Sequence, residues 1–100
     1  MIYSLRTAGL ITHVVPQSGR TSGETTVTIS GTNLGALDII SVMFGTKEAI
    51  IKSQTATSVI VLTPAASTGQ ITVEVQSVSF GSTSLLNAFS YISGIGSVLI

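Results

Sequence analysis

The sequence predicts an all-β sandwich, and three observations carry that reading. Short segments alternate apolar and hydroxyl-bearing residues with a period of two, which puts one row of side chains on each face of a strand. Clusters of Gly, Ser, Asn and Pro interrupt these segments at regular spacing. No stretch shows a helical period with capping residues. About seven such segments in a chain of 100 residues fit a two-sheet sandwich. A small barrel is the alternative, but it would want closure and fewer long loops.

The clearest segment is Thr25-Thr26-Val27-Thr28-Ile29-Ser30, followed by Gly31-Thr32-Asn33-Leu34-Gly35. Val27 and Ile29 share one face, and β-branched residues suit a pleated, half-buried surface. Gly31 and Gly35 permit positive φ, and Asn33 tolerates the left-handed region. Leu34 is apolar within this turn, so it is expected to fold back as a plug over one end of the core.

The other elements follow in order. Residues 1–9 carry Ile2, Tyr3 and Leu5 without periodicity and read as an arm or a short extra strand. Leu10 to Val15 is a strand that Pro16 ends; proline cannot donate to a ladder and favours an edge. Gln17 to Glu24 holds Ser18-Gly19 and Ser22-Gly23 and reads as a loop. Ile39 to Phe44 is a strand with Ile40, Val42 and Phe44 on one face. Gly45-Thr46 turns it into Lys47–Lys52, where Ala49 and Ile51 are in phase. Ser53 to Ala56 is a polar connection. Thr57 to Thr63 sets Val59 and Val61 against Ile60 and Leu62. After the loop Pro64–Gly69, Gln70 to Val78 sets Ile71, Val73 and Val75 against Thr72, Glu74 and Gln76. Ser79 to Thr83 reads as a hairpin connection, and Leu85 to Tyr91 closes the set with Phe89 and Tyr91 on one face. The tail, 93–100, is aliphatic with Gly94 and Gly96.

The expected inward set is therefore Val27, Ile29, Ile40, Val42, Phe44, Ile51, Val59, Val61, Ile71, Val73, Val75, Phe89 and Tyr91. Met43 and Ile50 would then point outward on one sheet, and Ile60 and Leu62 on the other. An antiparallel sheet facing water should carry polar residues there, so these four are candidate interface residues. Phe80, at the hairpin tip, reads first as a ring folded over the end of the sandwich and second as a binding anchor. Ile95, Val98, Leu99 and Ile100 join the candidates, because an aliphatic terminal stretch is suited to pairing with an exposed sheet edge or packing on a neighbour.

Charged residues make up only 8% of the chain and the formal net charge is +0, against about 25% charged in an average soluble domain. Ser and Thr are roughly three residues in ten, so the surface is hydroxyl-rich rather than ionic. Such a surface is poorly protected against self-association. The basic residues Arg6, Arg20, Lys47 and Lys52 are too few to track phosphates, which argues against nucleic acid. No apolar run approaches the ~20 residues of a membrane helix, so membrane insertion is not expected. The start of the chain lacks a basic region followed by a sustained apolar run. There is no Asn-x-Ser/Thr sequon, and without cysteine the redox compartment cannot be read.

Catalytic chemistry finds little to work with. A Ser–His–Asp arrangement would have to use His13, the only histidine, and Asp38, with one of many serines and no nucleophile-elbow pattern. Glu24, Asp38, Glu48 and Glu74 are scattered and show no metal-ligand spacing. No catalytic, metal or cofactor site is expected.

The signals also fall in a recognisable order. Ile11-x-x-Val14-x-Pro16-x-Ser18-Gly19 comes first, then Gly23-x-Thr25-x-Val27-x-Ile29-x-Gly31-x-Asn33-Leu34, then Val42-x-Phe44-Gly45 and Ala49. Thr57-x-Val59-x-Val61-x-Thr63-Pro64, Gly69-x-Ile71-x-Val73-x-Val75 and Ala88-Phe89-x-Tyr91 complete the set. Over about residues 10–92 this resembles the IPT/TIG domain. Glu24 departs from the pattern, standing where that family often has a second Gly. The resemblance implies an immunoglobulin-like Greek-key β-sandwich of about seven strands, flanked by an arm (1–9) and a tail or linker (93–100). It also implies a non-catalytic role outside the cell or at its surface, with protein partners such as copies of the chain or adjoining repeats. The alternative it implies is an accessory domain, glycan-associated or a spacer, of a secreted carbohydrate-active enzyme. Glycan-binding faces usually display several aromatics, and this chain has only Tyr3, Phe44, Phe80, Phe89 and Tyr91. A protein-binding building block is therefore favoured over a glycan binder.

Overall fold

A computed structural model describes residues 9–35 and 37–92. Among them are nine strands: β1 (Leu10–Val15), β2 (Ser18–Arg20), β3 (Thr26–Thr32), β4 (Ile39–Phe44), β5 (Lys47–Glu48), β6 (Ile50–Gln54), β7 (Ser58–Leu62), β8 (Gly69–Ser77) and β9 (Gly81–Ile92). They form a four-stranded sheet in the order β1-β3-β7-β6 and a five-stranded sheet in the order β2-β9-β8-β4-β5. This is the immunoglobulin-like sandwich, with two short strands beyond the expected seven.

Both extra strands have a local cause. The segment read as the loop Gln17–Glu24 contains β2, which pairs parallel to β9 through Ser18↔Ser90, Gly19↔Tyr91 and Arg20↔Ile92. Three residues joined to a sequence-distant strand leave no alternation to read. The segment read as one strand, Lys47–Lys52, divides at Ala49. Lys47–Glu48 pairs with β4, Ile50–Gln54 pairs with β7, and buried Ala49 spans the change of sheet, its amide donating to the Val42 carbonyl oxygen at 2.8 Å. Strands that switch sheets make the corners of such sandwiches.

Alternation places the core between the sheets. Val27, Ile29, Val42, Val59, Val61, Val73 and Val75 are fully buried, each contributing about 1.5–3 kcal/mol relative to exposure. Phe44, Phe89 and Tyr91 form a stack of edge-to-face rings at the centre, with centroid separations of 5.1 and 5.2 Å. Leu34 is buried as the expected plug, its amide donating to the Ala56 carbonyl oxygen at 3.0 Å. Ile51 and Ile71 are only partly buried, and Ile11, Val14 and Ile39 join the core from positions not expected there.

Two expectations need correction. Ile40 does not face inward: it is 60% exposed, and Ile39 takes its place. The register shifts from Ile39↔Ser77 to Ser41↔Gln76, so one bulged residue reverses the facing of the strand's first turn. Gly31, read as a turn residue free to take positive φ, instead lies inside β3. A Cβ there would collide with the Leu10 backbone, so the glycine lets β1 approach β3. Asn33 takes the left-handed conformation, with φ of 51°.

Candidate functional site

The outer face of the four-stranded sheet carries an apolar patch among hydroxyl-bearing residues. With Val27, Ile29, Val59 and Val61 turned inward, period two turns Thr26, Thr28, Ile60 and Leu62 outward. Register then aligns Val15 with Thr28 and Ile60 in one row, and Thr26 with Leu62 and Ile50 in the next. Ile50 is 63% exposed and Val15 59%, while Ile60 and Leu62 are half-buried.

Of the expected interface residues, Ile50, Ile60 and Leu62 are thus brought together on one face. The expectation that paired Ile50 with Met43 is corrected: Ile50 belongs to β6 of the four-stranded sheet, because the chain changes sheets at Ala49. Met43 stands alone on β4 of the other sheet, half-buried, opposite Glu48 and Glu74. Phe80 is also half-buried, in the turn before β9, where its amide donates to the Ser77 hydroxyl at 3.0 Å. Ile95, Val98, Leu99 and Ile100 lie outside the described residues.

Part of the outer face of the five-stranded sheet is polar. Ser18, Ser90 and Gln70 stand side by side across β2, β9 and β8, and Gln76 lies beside Ser41, whose hydroxyl donates to its carbonyl oxygen at 3.2 Å.

On the flank where β1 leaves one sheet and β2 joins the other lies an open cleft of about 470 Å³. Two bulges shape it. β1 is irregular between Ile11 and His13, and β9 between Leu85 and Phe89, where Leu86–Ala88 leaves the ladder with Asn87 at φ 54°. Polar walls come from Gln17, Ser18, Gln70, Asn87 and Ser90, and an apolar rim from Leu86, 76% exposed. His13 lines the same cleft, its Nδ1 3.2 Å from the Thr12 hydroxyl. Nothing in the alternation of Leu85–Tyr91 announced this cleft; the one available signal was Asn87, a residue that tolerates left-handed backbone inside an otherwise apolar strand.

The candidate triad members do different work. His13 is exposed on β1. Asp38 ties the β8–β9 turn to the approach to β4: one carboxylate oxygen accepts from the Ser79 amide at 2.9 Å and from its hydroxyl at 2.5 Å. A side-chain amide makes a similar clasp between sheets, with the Ile39 amide donating to Gln54 Oε1 at 2.9 Å. Among the described residues no group of three or more His, Cys, Asp or Glu could hold a metal ion, and no helix is long and apolar enough to cross a membrane.

Alongside these sheets of four and five strands, the core of period-two valines and the Asn33-Leu34 plug, the chain matches the model of one family over residues 10–91, the IPT/TIG domain. The chain belongs to the IPT/TIG domain family. No curated protein matches it by sequence. Solved structures do share its fold. One is a Bacteroides thetaiotaomicron protein provisionally named a phosphatase, at 24% identity and a TM-score of 0.69, covering 86% of this chain and 18% of that one. Another is an auxiliary nutrient binding protein from the same species, at 21% identity and a TM-score of 0.68, covering 86% of this chain and 21% of that one. A third is SGBP-B from a complex xyloglucan utilization locus in Bacteroides uniformis, at 23% identity and a TM-score of 0.65, covering 84% of this chain and 24% of that one. This IPT/TIG domain thus spans no more than about a quarter of each of these longer chains.

Proposed function

We propose that this IPT/TIG domain is a non-catalytic structural and protein–protein interaction module, a building block of a tandem array or of a self-assembling extracellular or cell-surface structure. The observation that carries the reading is the outer face of the four-stranded sheet, where Ile50, Ile60, Leu62 and Val15 occupy positions a solitary sandwich gives to polar residues. Burying such a face against another surface is favourable in proportion to the apolar area removed from water. The partner is a copy of the chain or an adjoining repeat, and a surface with net charge +0 does little to hold copies apart. The aliphatic tail, 93–100, serves the same association.

Sedimentation equilibrium over a wide concentration range tests this. The full chain should associate, and both Ile50→Ser/Leu62→Ser and deletion of residues 93–100 should weaken association while leaving the sandwich folded. A full chain that stays strictly monomeric at high concentration, and that adjoining domains do not contact, contradicts the proposal.

A second reading is an accessory domain of a secreted carbohydrate-active protein. The cleft beside β9 favours it, since the described residues of its lining include several polar side chains yet no Asp, Glu, Lys or Arg. Two solved relatives named as a nutrient binding protein and as SGBP-B support the same direction. Co-sedimentation with insoluble glucans separates the two readings.

A further inference from the structure

We infer that the cleft between β1 and the β9 bulge is a binding site for a neutral saccharide. The inference rests on the second reading above and gives it a place on the domain.

The two bulges are the first argument. Both β1 and β9 break their ladders on the side that faces the cleft, at Thr12 and over Leu86–Ala88. Bulges re-aim side chains, and they are over-represented beside binding sites. In β9 the displaced residues Leu86, Asn87 and Ala88 all line the cleft.

The chemistry of the lining selects the ligand. Gln17, Gln70 and Asn87 each offer an N–H donor group and a carbonyl acceptor, and Ser18 and Ser90 offer hydroxyls. Groups that both donate and accept match adjacent sugar hydroxyls, which do the same. With no Asp, Glu, Lys or Arg among the described residues of the lining, nothing described there captures an ion by fixed charge of those kinds. Leu86 supplies an apolar surface for the C–H face of a pyranose ring. The cleft, at about 470 Å³, falls within the ~300–1,000 Å³ of ordinary small-molecule sites.

An extended peptide fits this flank less well. Strand addition needs a run of unpaired backbone along a regular edge. Here the bulge takes Leu86–Ala88 out of the ladder, and β2 already occupies Ser90–Ile92. Recognition must come from side chains. Among the described residues no Phe, Tyr or Trp ring lines the cleft, so the dissociation constant is expected on the order of 1 mM.

The test is an amide chemical-shift titration of the isotope-labelled full chain with cellohexaose, xylohexaose and maltohexaose in turn. At least one sugar should shift Gln70 and Leu86–Ser90. The pair Gln70→Ala/Asn87→Gly should weaken that binding about tenfold or more at an unchanged melting temperature, since glycine keeps the left-handed backbone at position 87. Shifts confined to another surface keep the carbohydrate reading and overturn this site. Shifts in the cleft produced by a neutral octapeptide and not by the sugars overturn it in favour of a peptide. An absence of shifts with all three sugars overturns the site, and a chain that also fails to sediment with insoluble glucans loses the carbohydrate reading as well.

Discussion

The Tyr91 hydroxyl donates a 2.7 Å hydrogen bond to the Pro64 carbonyl oxygen, tying the last strand of one sheet to the loop that leaves the other. Burial raises the pKa of that hydroxyl above the usual 10.0, with a hydrogen bond to Thr63 acting in the opposite direction. A tyrosine whose folded-state pKa is raised is deprotonated more readily in the unfolded chain. Its contribution is complete below about pH 10 and is lost as the pH rises through the folded-state value. Tyr91→Phe keeps the ring and strands the carbonyl. It should cost about 1–3 kcal/mol at neutral pH and flatten the alkaline decline in stability. Urea unfolding as a function of pH checks both, and an alkaline limb as steep as that of the parent chain would contradict the assignment.

Phe89 sits between Phe44 and Tyr91, touching both edge-to-face. Phe89→Ala leaves a cavity at the meeting point of three rings and should cost about 3–5 kcal/mol, a large share of a small domain's stability. Equilibrium denaturation measures it directly. An unchanged midpoint would mean that β9 is placed in the wrong register.

How legible these features were in the sequence depended on whether period two survived. Thr25–Ser30 and Gln70–Val78 alternate without interruption, so Val27, Ile29, Val73 and Val75 could be turned inward from the pattern alone. Asn33-Leu34 was equally readable, because few residues tolerate left-handed backbone and a leucine in a turn needs cover. The pattern failed wherever one residue broke the phase. The bulge between Ile39 and Ser41 exchanged Ile39 for Ile40, and Ala49 carried Ile50 onto the other sheet. The bulge at Leu86–Ala88 opened a cleft that no alternation could signal. Strand β2 is held by its distant partner β9 rather than by its own residues.

Glu24 illustrates a local misfit that the family pattern exposed. It stands where the family often has glycine, and its φ is 62°, a conformation that costs an L-residue roughly 1–2 kcal/mol. Its amide donates to the Thr63 carbonyl oxygen at 2.7 Å, so the backbone cannot relax without losing that bond. Glu24→Gly removes the strain and gives back part of it as added freedom in the unfolded chain. The net expectation is a gain of about 0.5–1 kcal/mol, read as a higher melting temperature. A lower melting temperature would show that the carboxylate has a role of its own.

The outer face of the four-stranded sheet carries the central claim, and methyl NMR with an inert paramagnetic cosolute tests it most directly. The isolated domain should show Ile50, Ile60 and Leu62 methyls relaxed by the cosolute, with exposed Ile40 on the other sheet as reference. At high concentration, or with adjoining domains attached, the Ile50, Ile60 and Leu62 methyls should become protected while Ile40 remains relaxed. If Ile50, Ile60 and Leu62 all stay as exposed in the assembled form as in the isolated domain, this face is not an interface and the building-block account fails.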